Sequence, residues 1–424
     1  MQPETSLPEL RTEIPGPRSR ALALRLAQVE SRNVTCLSPT PPIFWERAEG
    51  ANVWDVDGNR FVDLGGGFGV ANAGHAHPLV AAAVADQAGR LMHAMGDVHP
   101  PAVKVELLEA LAALFPGGGS ARTVLGSSGS DAVEAALKTA LLATGRAGVL
   151  AFEGGYHGLA LGALDSTWRS DFRAPFAARI PNRTVFARFG DLEDVVRTAE
   201  KTSEEIGAVL VEPVQGRGGE RVPPAGFLAG LRRLCDERGW LLIADEVYTG
   251  FGRTGRTFAC QHENVVPDLL CVAKGLASGM PISACIGRAE VMDSWPVSRG
   301  EALHTQTFLG HPPGCAAALA SLTVLEKEGL AKRSAELGAW ALERISGSTA
   351  GLASVRECRG LGLMIGIECR EPGIAIRITE EALACGFILL PSGDRGEVLS
   401  ITPPLTIGRS ALEAGLDTLT RLLQ

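Results

Sequence analysis

Short apolar runs that lead into charged residues are the clearest feature of the hydrophobic pattern. Residues 241–244 are all apolar and lead into Asp245 and Glu246. Residues 269–273 are also all apolar and lead into Lys274. Runs of this length, bounded by polar residues or glycine, predict strands that are buried in a parallel sheet. Because functional groups collect at the carboxyl ends of such strands, we expect a carboxylate and an amine to meet at one edge of the sheet.

Elsewhere the pattern alternates between helical and extended stretches. Alternating runs on both sides of an Asp-Gly-Asn turn predict a β-hairpin over residues 53–64. Further predicted helices cover residues 78–92, 102–115, 131–143, 331–344 and 410–423, and further strands cover 148–152, 209–211, 355–357, 362–369 and 398–401. Helices and strands that alternate with short connections are typical of a doubly wound α/β sheet.

A change of pattern in the last quarter of the chain predicts a second, smaller α/β domain. We expect an N-terminal arm over residues 1–40 and a large domain over residues 76–325, with a mainly parallel sheet flanked by helices. Residues 41–75 and 326–424 would form the small domain, so that both ends of the chain contribute to it. The arm contains one amphipathic stretch at 21–30. It either packs on a partner subunit or forms a loosely ordered tail.

Composition and charge narrow the class of protein. The 424 residues carry a formal net charge of −8 and are 46% hydrophobic, which is typical of a soluble globular protein. We expect no nucleic-acid partner, because there is no basic stripe, and no membrane segment, because no apolar run approaches roughly 18 residues. The nine cysteines include no CxxC pair and predict reduced thiols. The N-terminal stretch lacks the apolar core of a signal peptide, so we expect a cytoplasmic protein.

An amine and a carboxylate at one sheet edge match the needs of pyridoxal phosphate. This cofactor requires a lysine that holds its aldehyde as a Schiff base, an anion beside its ring nitrogen, and a cradle for its phosphate. Lys274 and Asp245 suit the first two roles. An ordinary salt bridge between two strand ends would give the same pattern, so other motifs must decide between these interpretations.

A loop of glycine and serine offers the phosphate cradle. It precedes a predicted helix and includes Ser128, Gly129 and Ser130. Such residues at a helix N-terminus present N–H groups and hydroxyls to an anion, and the helix dipole favours negative charge. Helix capping alone is the competing explanation, because Asp131 with Glu134 resembles a capping box.

Two further strand ends carry candidate cofactor contacts. Tyr156 and His157 follow one predicted strand, and an aromatic ring in this position can stack on a cofactor ring. Glu212 ends another predicted strand. Its carboxylate either hydrogen-bonds a ring substituent or accepts from a neighbouring loop.

The segment after the hairpin is rich in glycine and contains two histidines. The tract Gly-Gly-Gly-Phe-Gly at residues 65–69, which includes Phe68, lets the backbone run close to a ligand or to another chain. His75 and His77 have no array of cysteines, histidines or carboxylates behind them. We therefore expect them to be structural or to start a helix, and we expect no metal site.

Together these motifs resemble those of the class III aminotransferases, which include the 4-aminobutyrate, ornithine and acetylornithine enzymes. The resemblance runs from about residue 42 to the C-terminus. It rests on the stretches GSSGSDAVEAALK, GYHG, VEPVQG and DEVYTGFGRTG, on the AKG lysine, and on the Thr-Phe pair before Cys315. The family fold is fold type I of the pyridoxal-phosphate enzymes. It has a large α/β domain with a mainly parallel, seven-stranded sheet and a small α/β domain from both termini.

The resemblance also implies roles for individual residues. Lys274 would form the Schiff base, Asp245 would face the pyridine nitrogen, and these two with Tyr156 would be the catalytic residues. The other implied cofactor contacts are Ser128, Gly129 and Ser130 at the phosphate, Tyr156 and Val247 on the two faces of the ring, His157 in the GYHG turn, and Glu212 near the ring hydroxyl. Thr307 would reach the phosphate bound by the neighbouring subunit, which implies a homodimer with two shared active sites.

The sequence departs from the family pattern where substrates bind. Many members carry an arginine that clamps the substrate's α-carboxylate, and here Ser400 holds that position. Many members have glutamate where this chain has Arg217, and the 4-aminobutyrate enzymes have an arginine where it has Leu159. Arg217 either supplies a relocated anion clamp or is a rim arginine that faces solvent. With Phe68, these three positions are the candidate substrate contacts.

The leading functional interpretation is an aminotransferase that moves an amino group from an amine or ω-amino donor to a keto-acid or aldehyde acceptor. Lys274 would transfer protons as general base and acid, and pyridoxamine phosphate would carry the amino group. The alternatives are an amino-acid or lactam racemase, epimerase or aminomutase of the same fold, and a binding relative without turnover. Arg217 is a poor general base, which disfavours the racemase. The absence of the carboxylate arginine favours an ω-amine, an amino sugar or another donor without a standard α-carboxylate.

Overall fold

Strands from distant parts of the chain pair into three sheets. The computed structural model describes residues 5–36 and 40–424. The strands are β1 Trp45–Glu49, β2 Asn52–Asp55, β3 Arg60–Asp63, β4 Ala121–Gly126, β5 Gly148–Phe152, β6 Thr184–Ala187, β7 Ile206–Val211, β8 Leu241–Asp245, β9 Leu269–Val272, β10 Ser283–Arg288, β11 Val355–Gly360, β12 Ile365–Cys369, β13 Phe387–Ile388, β14 Leu390–Ser392 and β15 Val398–Ile401.

Fourteen α-helices accompany these strands in the described chain. They are α1 Pro17–Val29, α2 Gly66–Gly69, α3 Pro78–Arg90, α4 Ala102–Leu114, α5 Gly129–Thr144, α6 Leu161–Asp165, α7 Ser170–Arg173, α8 Leu192–Lys201, α9 Phe227–Arg238, α10 Ala289–Met292, α11 Pro312–Lys327, α12 Leu330–Thr349, α13 Pro372–Ala384 and α14 Arg409–Leu423. Short 3₁₀ helices cover Ala174–Phe176, Ala259–Glu263 and Lys274–Leu276. Within the described residues, none of the helices combines the length and apolar character needed to span a membrane.

The largest sheet has seven strands in the order β4-β10-β9-β8-β7-β5-β6. β10 runs antiparallel to both of its neighbours, and the other six strands are parallel to one another. The apolar runs at 241–244 and 269–273 form the adjacent strands β8 and β9. These strands are almost completely buried, because side chains from helices pack on both faces of the sheet. The mainly parallel sheet predicted from these runs is confirmed.

Both ends of the chain build the smaller α/β part, as predicted. One four-stranded sheet has the order β1-β2-β3-β13, in which Phe387 pairs with Val62 and joins the C-terminal region to the hairpin. The other has the order β11-β12-β15-β14. Strands and helices of this part share a second core that contains Leu64, Ile365 and Leu416. The domain boundaries given above stay predictions.

Part of the N-terminal arm is held against the hairpin of the same chain. Asn59 Oδ1 accepts a hydrogen bond of 2.6 Å from the N–H of Arg11. The amphipathic stretch predicted at 21–30 lies in α1, which begins earlier because a proline occupies its first turn. Residues 1–4 and 37–39 of the predicted arm lie outside the described residues.

The helix after the glycine–serine loop begins earlier than predicted. Ser128 is its N-cap, and Ser128 Oγ accepts from the N–H of Asp131, whose carboxylate accepts in return from the N–H of Ser128. The capping box therefore pairs Ser128 with Asp131, and the pairing of Asp131 with Glu134 is wrong. Glu134 instead accepts from the N–H groups of Gly162 and Ala163, at 2.7 and 3.0 Å.

Candidate active site

Five parallel strands deliver polar residues to one edge of the seven-stranded sheet. Because β4, β5, β7, β8 and β9 run in the same direction, their carboxyl ends all lie at this edge. The residues that follow them line a cavity of about 600 Å³. Of the residues predicted from the sequence, the cavity brings together Phe68, Ser128, Gly129, Ser130, Tyr156, His157, Glu212, Arg217, Asp245, Val247, Lys274 and Ser400. Leu159 and Thr307 do not line it, and both are exposed.

A buried hydrogen-bonded pair lies at the end of β8. Asp245 Oδ2 is 2.8 Å from His157 Nδ1, and Asp245 Oδ1 accepts from the N–H of Val247 at 3.1 Å. Burial lowers the pKa of His157, but the hydrogen bond and charge of Asp245 outweigh it, so the net shift is upward. The N–H of His157 donates to Thr167 Oγ1 at 3.0 Å. Both oxygens of Asp245 are thus fixed, and its charge has a defined position in the cavity.

Glu246, the second carboxylate after the apolar run at 241–244, does not line the cavity. It accepts from the N–H groups of Ala259 and Cys260, at 2.9 and 2.8 Å, and from Thr249 Oγ1. Burial raises the pKa of Glu246. Its contacts make it a structural residue, and Asp245 alone of the two reaches the site.

Lys274 follows β9 in a strained backbone conformation. Its φ of 45° lies in the left-handed region, which costs a residue with a side chain on the order of 1–3 kcal/mol. Lys274 Nζ lies 4.0 Å from the centroid of the Tyr248 ring. Burial lowers the pKa of the Lys274 amine to about 8, and Asp245 and Glu212 partly oppose this shift. At neutral pH the neutral, nucleophilic amine is therefore far more populated than in an ordinary lysine.

The glycine–serine loop leaves hydrogen-bond donors free at the start of α5. The N–H groups of Gly129 and Ser130 donate no hydrogen bond within residues 5–36 and 40–424. The packing there is close: a Cβ on Gly129 would lie 2.9 Å from a Val247 methyl, and one on Gly158 would lie 1.9 Å from Ser130 Oγ. Ser130 Oγ also accepts from the N–H of Leu159 at 3.1 Å, which fixes the hydroxyl. Free N–H groups, hydroxyls and a helix N-terminus together suit an anion such as phosphate.

Glu212 connects two of the loops that line the cavity. Its Oε2 accepts from the N–H of Tyr156 at 2.9 Å, and its Oε1 accepts from the N–H of Gly216 at 3.2 Å. Burial raises the pKa of Glu212 to about 7, although His157 opposes the shift. Of the two interpretations from the sequence, acceptance from neighbouring loops is observed, and contact with a ring substituent stays a prediction.

The backbone conformation of the turn over residues 66–69 explains why three of its four residues are glycines. All four residues have φ angles between 57° and 68°, a conformation that glycine adopts without strain. Asp63 Oδ2 accepts from an N–H of this turn at 2.9 Å and lies 2.8 Å from His75 Nε2. Phe68 is the non-glycine member of the turn and lines the cavity. His75 and the helix-capping His77 are structural, as expected.

Arg217 lies at the exposed rim of the cavity. Its guanidinium makes no hydrogen bond or ion pair with the part of the chain that the structure describes, and its carbonyl accepts from the N–H of Gly393 at 2.9 Å. The backbone of Arg217 is thus fixed while its charged group is available to an anion.

The cavity also contains a carboxylate that was not singled out from the sequence. Glu220 is 1% exposed; its Oε1 accepts from Ser400 Oγ at 2.5 Å and its Oε2 from Ser392 Oγ at 2.6 Å. Burial raises the pKa of Glu220 to about 7, and the two serine hydroxyls oppose this shift. The available signal was an acidic residue in the Gly-Arg-Gly-Gly-Glu loop that follows a buried strand end. Ser400 therefore orients this carboxylate.

Comparisons with known proteins assign a family to this fold and cavity. The family model for aminotransferase class-III matches residues 36–423. The chain belongs to the class III aminotransferases. It is 38% identical to the 4-aminobutyrate aminotransferase of Mycobacterium leprae, with 98% of each chain covered. It is 39% identical to the acetylornithine aminotransferase of Methanopyrus kandleri, with 90% of this chain and 95% of that one covered.

A solved structure gives the same result for the fold and the cofactor. An ornithine aminotransferase from Toxoplasma gondii, described with partial occupancy of pyridoxal phosphate at its active site, matches with a TM-score of 0.86. The two are 30% identical, and the match covers 95% of this chain and 94% of that one. The predicted fold, cofactor and aminotransferase activity are confirmed, and no comparison supports the racemase alternative. The free donors at α5, the Lys274 amine with its lowered pKa and the fixed Asp245 carboxylate fit pyridoxal phosphate.

Proposed function

We propose that this class III aminotransferase takes an amine donor without a standard α-carboxylate and a keto-acid acceptor, and that Lys274 performs the proton transfers. The observation that carries the proposal is the half-buried Lys274, whose amine shares one cavity with the Asp245–His157 pair and the free donors of α5. Ser400 supports the choice of donor, because a hydroxyl cannot clamp a carboxylate as a guanidinium does.

Each cofactor contact has a supporting observation. The N–H groups of Gly129 and Ser130 would hold the phosphate, since they have no other acceptor among the described residues. Asp245 would face the ring nitrogen, and Tyr156 and Val247, which line the same cavity, would enclose the ring. When bound, pyridoxal phosphate supplies an electron-accepting ring that stabilises negative charge on the substrate carbon.

The residues of the chain perform the remaining steps. Lys274 Nζ removes the proton from the donor carbon that bears the amine, and as an ammonium group it donates a proton in return. A pKa of about 8 suits both roles near neutral pH. Asp245 keeps its charge in one position because His157 and a backbone N–H hold its two oxygens. Preorganised charge of this kind lowers the barrier without reorganisation during the reaction.

We assign Arg217 as the residue that binds the carboxylate of the keto-acid acceptor. Replacing it by glutamine is expected to raise the KM for the acceptor about 10-fold, the value of one charge-assisted hydrogen bond, with little change in kcat. Steady-state kinetics with a varied keto acid will measure this effect. Arg299→Gln, at an exposed position of a different loop, is the control. An acceptor KM that stays at the wild-type value in Arg217→Gln would exclude the assignment.

We also propose a homodimer in which Thr307 reaches the site of the partner. Thr307 is exposed, and so is its neighbour Phe308. The segment 92–98 also carries exposed apolar side chains, namely Met92, Met95 and Val98. The two segments contact each other, since the His93 and Phe308 rings lie 5.3 Å apart. Exposed apolar patches mark interaction surfaces.

Sedimentation is expected to give a dimer, and Thr307→Val is expected to weaken cofactor affinity about 10-fold. A monomer with full cofactor affinity would refute the proposal.

A cytoplasmic location is proposed from the state of the thiols. Cys271 and Cys285 face each other on β9 and β10, yet no disulfide joins them. Free thiols on directly opposite strand positions are typical of a reducing compartment.

The experiment that tests the function is a spectral titration of the purified enzyme. Its visible cofactor band is expected to bleach on addition of the correct amine donor and to return on addition of a keto acid. A band that stays unchanged with every amine while an amino acid loses its stereochemistry would refute transamination as the reaction. Absence of any cofactor band after incubation with pyridoxal phosphate would refute the assigned site.

A further inference from the structure

Glu220 is a buried carboxylate on the cavity wall that proton transfer and cofactor binding do not use. Its two oxygens accept from Ser392 and Ser400, at 2.6 and 2.5 Å, and each oxygen keeps capacity for another donor. The two serines belong to β14 and β15 of the small sheet. All three residues line the cavity that contains Lys274.

The chain holds Glu220 there against two unfavourable effects. A carboxylate that is 1% exposed has lost nearly all of its contact with water, and its ionised form is costly to bury without a counter-charge. The backbone of Glu220 also has a φ of 48°, in the left-handed region. Strained, non-glycine residues of this kind cluster where a ligand is held.

Glu220 has no cationic partner at ion-pair distance among the described residues. The charge of the Arg359 guanidinium lowers the pKa of Glu220. The Nε and Nη2 of Arg359, however, donate to the carbonyl of Gly219 at 2.8 and 2.6 Å. The Nη1 of Arg359 binds Glu368 at 2.6 Å. Arg217 lies at the exposed rim without an ion pair to Glu220. An unmatched carboxylate on the wall of a substrate cavity favours a ligand that brings its own positive charge.

The remaining lining suits a hydrocarbon chain. Phe68, Val70 and Leu390 present apolar side chains to the same cavity, and Tyr248 places its ring 4.0 Å from Lys274 Nζ. The hydroxyl of Tyr248 is 3.1 Å from Thr402 Oγ1. A donor with methylene groups between two polar ends therefore matches the character of the lining.

We propose that Glu220, oriented by Ser392 and Ser400, binds a second, cationic nitrogen of the amine donor, so that the preferred donors are α,ω-diamines. This inference rests on the proposed function of the cavity and specifies its substrate class. The wall that carries Ser400 then has a charge opposite to that of an arginine clamp. A carboxylated donor of equal length would place its negative charge against Glu220 and bind less well.

The test compares three matched series of donors with chains of three to six carbons: diamines, ω-amino acids and monoamines. The holoenzyme is expected to show a kcat/KM for its best diamine about 10- to 100-fold above that for the monoamine and the ω-amino acid of equal length, as a charge-assisted hydrogen bond provides. An ω-amino acid that matches or exceeds the diamine would overturn the proposal while leaving the aminotransferase function intact. No turnover with any donor would overturn both.

Variants separate substrate recognition from a structural role. Glu220→Gln keeps the size but replaces one acceptor oxygen by an NH2 donor, so that one of the two serine hydroxyls must accept instead of donate. It is expected to raise the KM for the best diamine about 10-fold or more, while kcat and the monoamine KM stay within about twofold of the wild-type values. Ser400→Ala, which removes one of the orienting hydroxyls, is expected to shift the same KM in the same direction by a smaller factor. Glu336→Gln, on an exposed side chain, is the matched control. Equal losses for diamine and monoamine, or an unchanged diamine KM in both cavity variants, would overturn the proposal.

Discussion

Lys274→Ala is expected to lower kcat by about 10⁴-fold, since the variant would lose the group that we propose to transfer protons in both directions. The visible band of lysine-bound cofactor is expected to disappear as well. The fold should survive, because a left-handed φ costs alanine about as much conformational energy as it costs lysine, so the substitution adds no backbone strain. Single-turnover kinetics and an absorbance spectrum of the reconstituted variant will measure both effects.

Controls distinguish a missing amine from a damaged fold. Lys332→Ala, at a lysine whose side chain is 81% exposed, is expected to keep wild-type activity and spectrum. Addition of a small primary amine to Lys274→Ala is expected to restore part of the proton transfer, which it would not do if Lys274 only supported the loop. Retention of more than about a tenth of the activity in Lys274→Ala would show that another group performs the transfer.

Asp245→Asn is expected to lower kcat by about 10²- to 10³-fold, the range for removal of one preorganised charged contact. Asparagine fills the same space and still accepts from the N–H of Val247. It removes the charge that would face the ring nitrogen and the partner that raises the pKa of His157. We therefore expect the variant to bind the cofactor, and the loss to fall on kcat more than on the KM for the donor.

Measurements on the same variant separate charge from structure. The midpoint of thermal unfolding should stay within several degrees of the wild type, and the visible cofactor band should remain. Asp293→Asn, at an exposed aspartate paired with Arg122, is the matched control. A wild-type kcat in Asp245→Asn would contradict the role assigned to this carboxylate.

The strands that carry these two residues were predictable because burial leaves a direct trace in the sequence. A strand covered on both faces has no polar alternation, so residues 241–244 and 269–273 stand out as continuous apolar runs. The polar residues at their ends follow from the same rule. Local pattern alone was therefore sufficient to place Asp245 and Lys274 at one edge of the sheet.

Glu220 was not predictable in this way, since its environment is made by distant segments. Its partners Ser392 and Ser400 lie 172 and 180 positions further along the chain. In the sequence it is one acidic residue in a glycine-rich loop, and only the fold shows that the loop turns it into the cavity lining. The predicted capping box was wrong for a related reason. In the sequence, the pair Ser128 and Asp131 and the pair Asp131 and Glu134 both match a capping pattern. The hydrogen bonds that Glu134 accepts from the start of α6 decide between them.

The residues proposed to select the donor and those proposed to transfer protons belong to different sheets. Ser392 and Ser400 belong to the four-stranded sheet β11-β12-β15-β14, whereas Asp245 ends β8 and Lys274 follows β9 in the seven-stranded sheet. On the proposed role of Glu220, mutations in β14 and β15 are therefore expected to alter the range of accepted amines without changing the residues that we propose to move protons. After gene duplication, copies of such an enzyme can diverge in substrate while both stay active. A combinatorial library restricted to these two short strands would follow the same route in the laboratory.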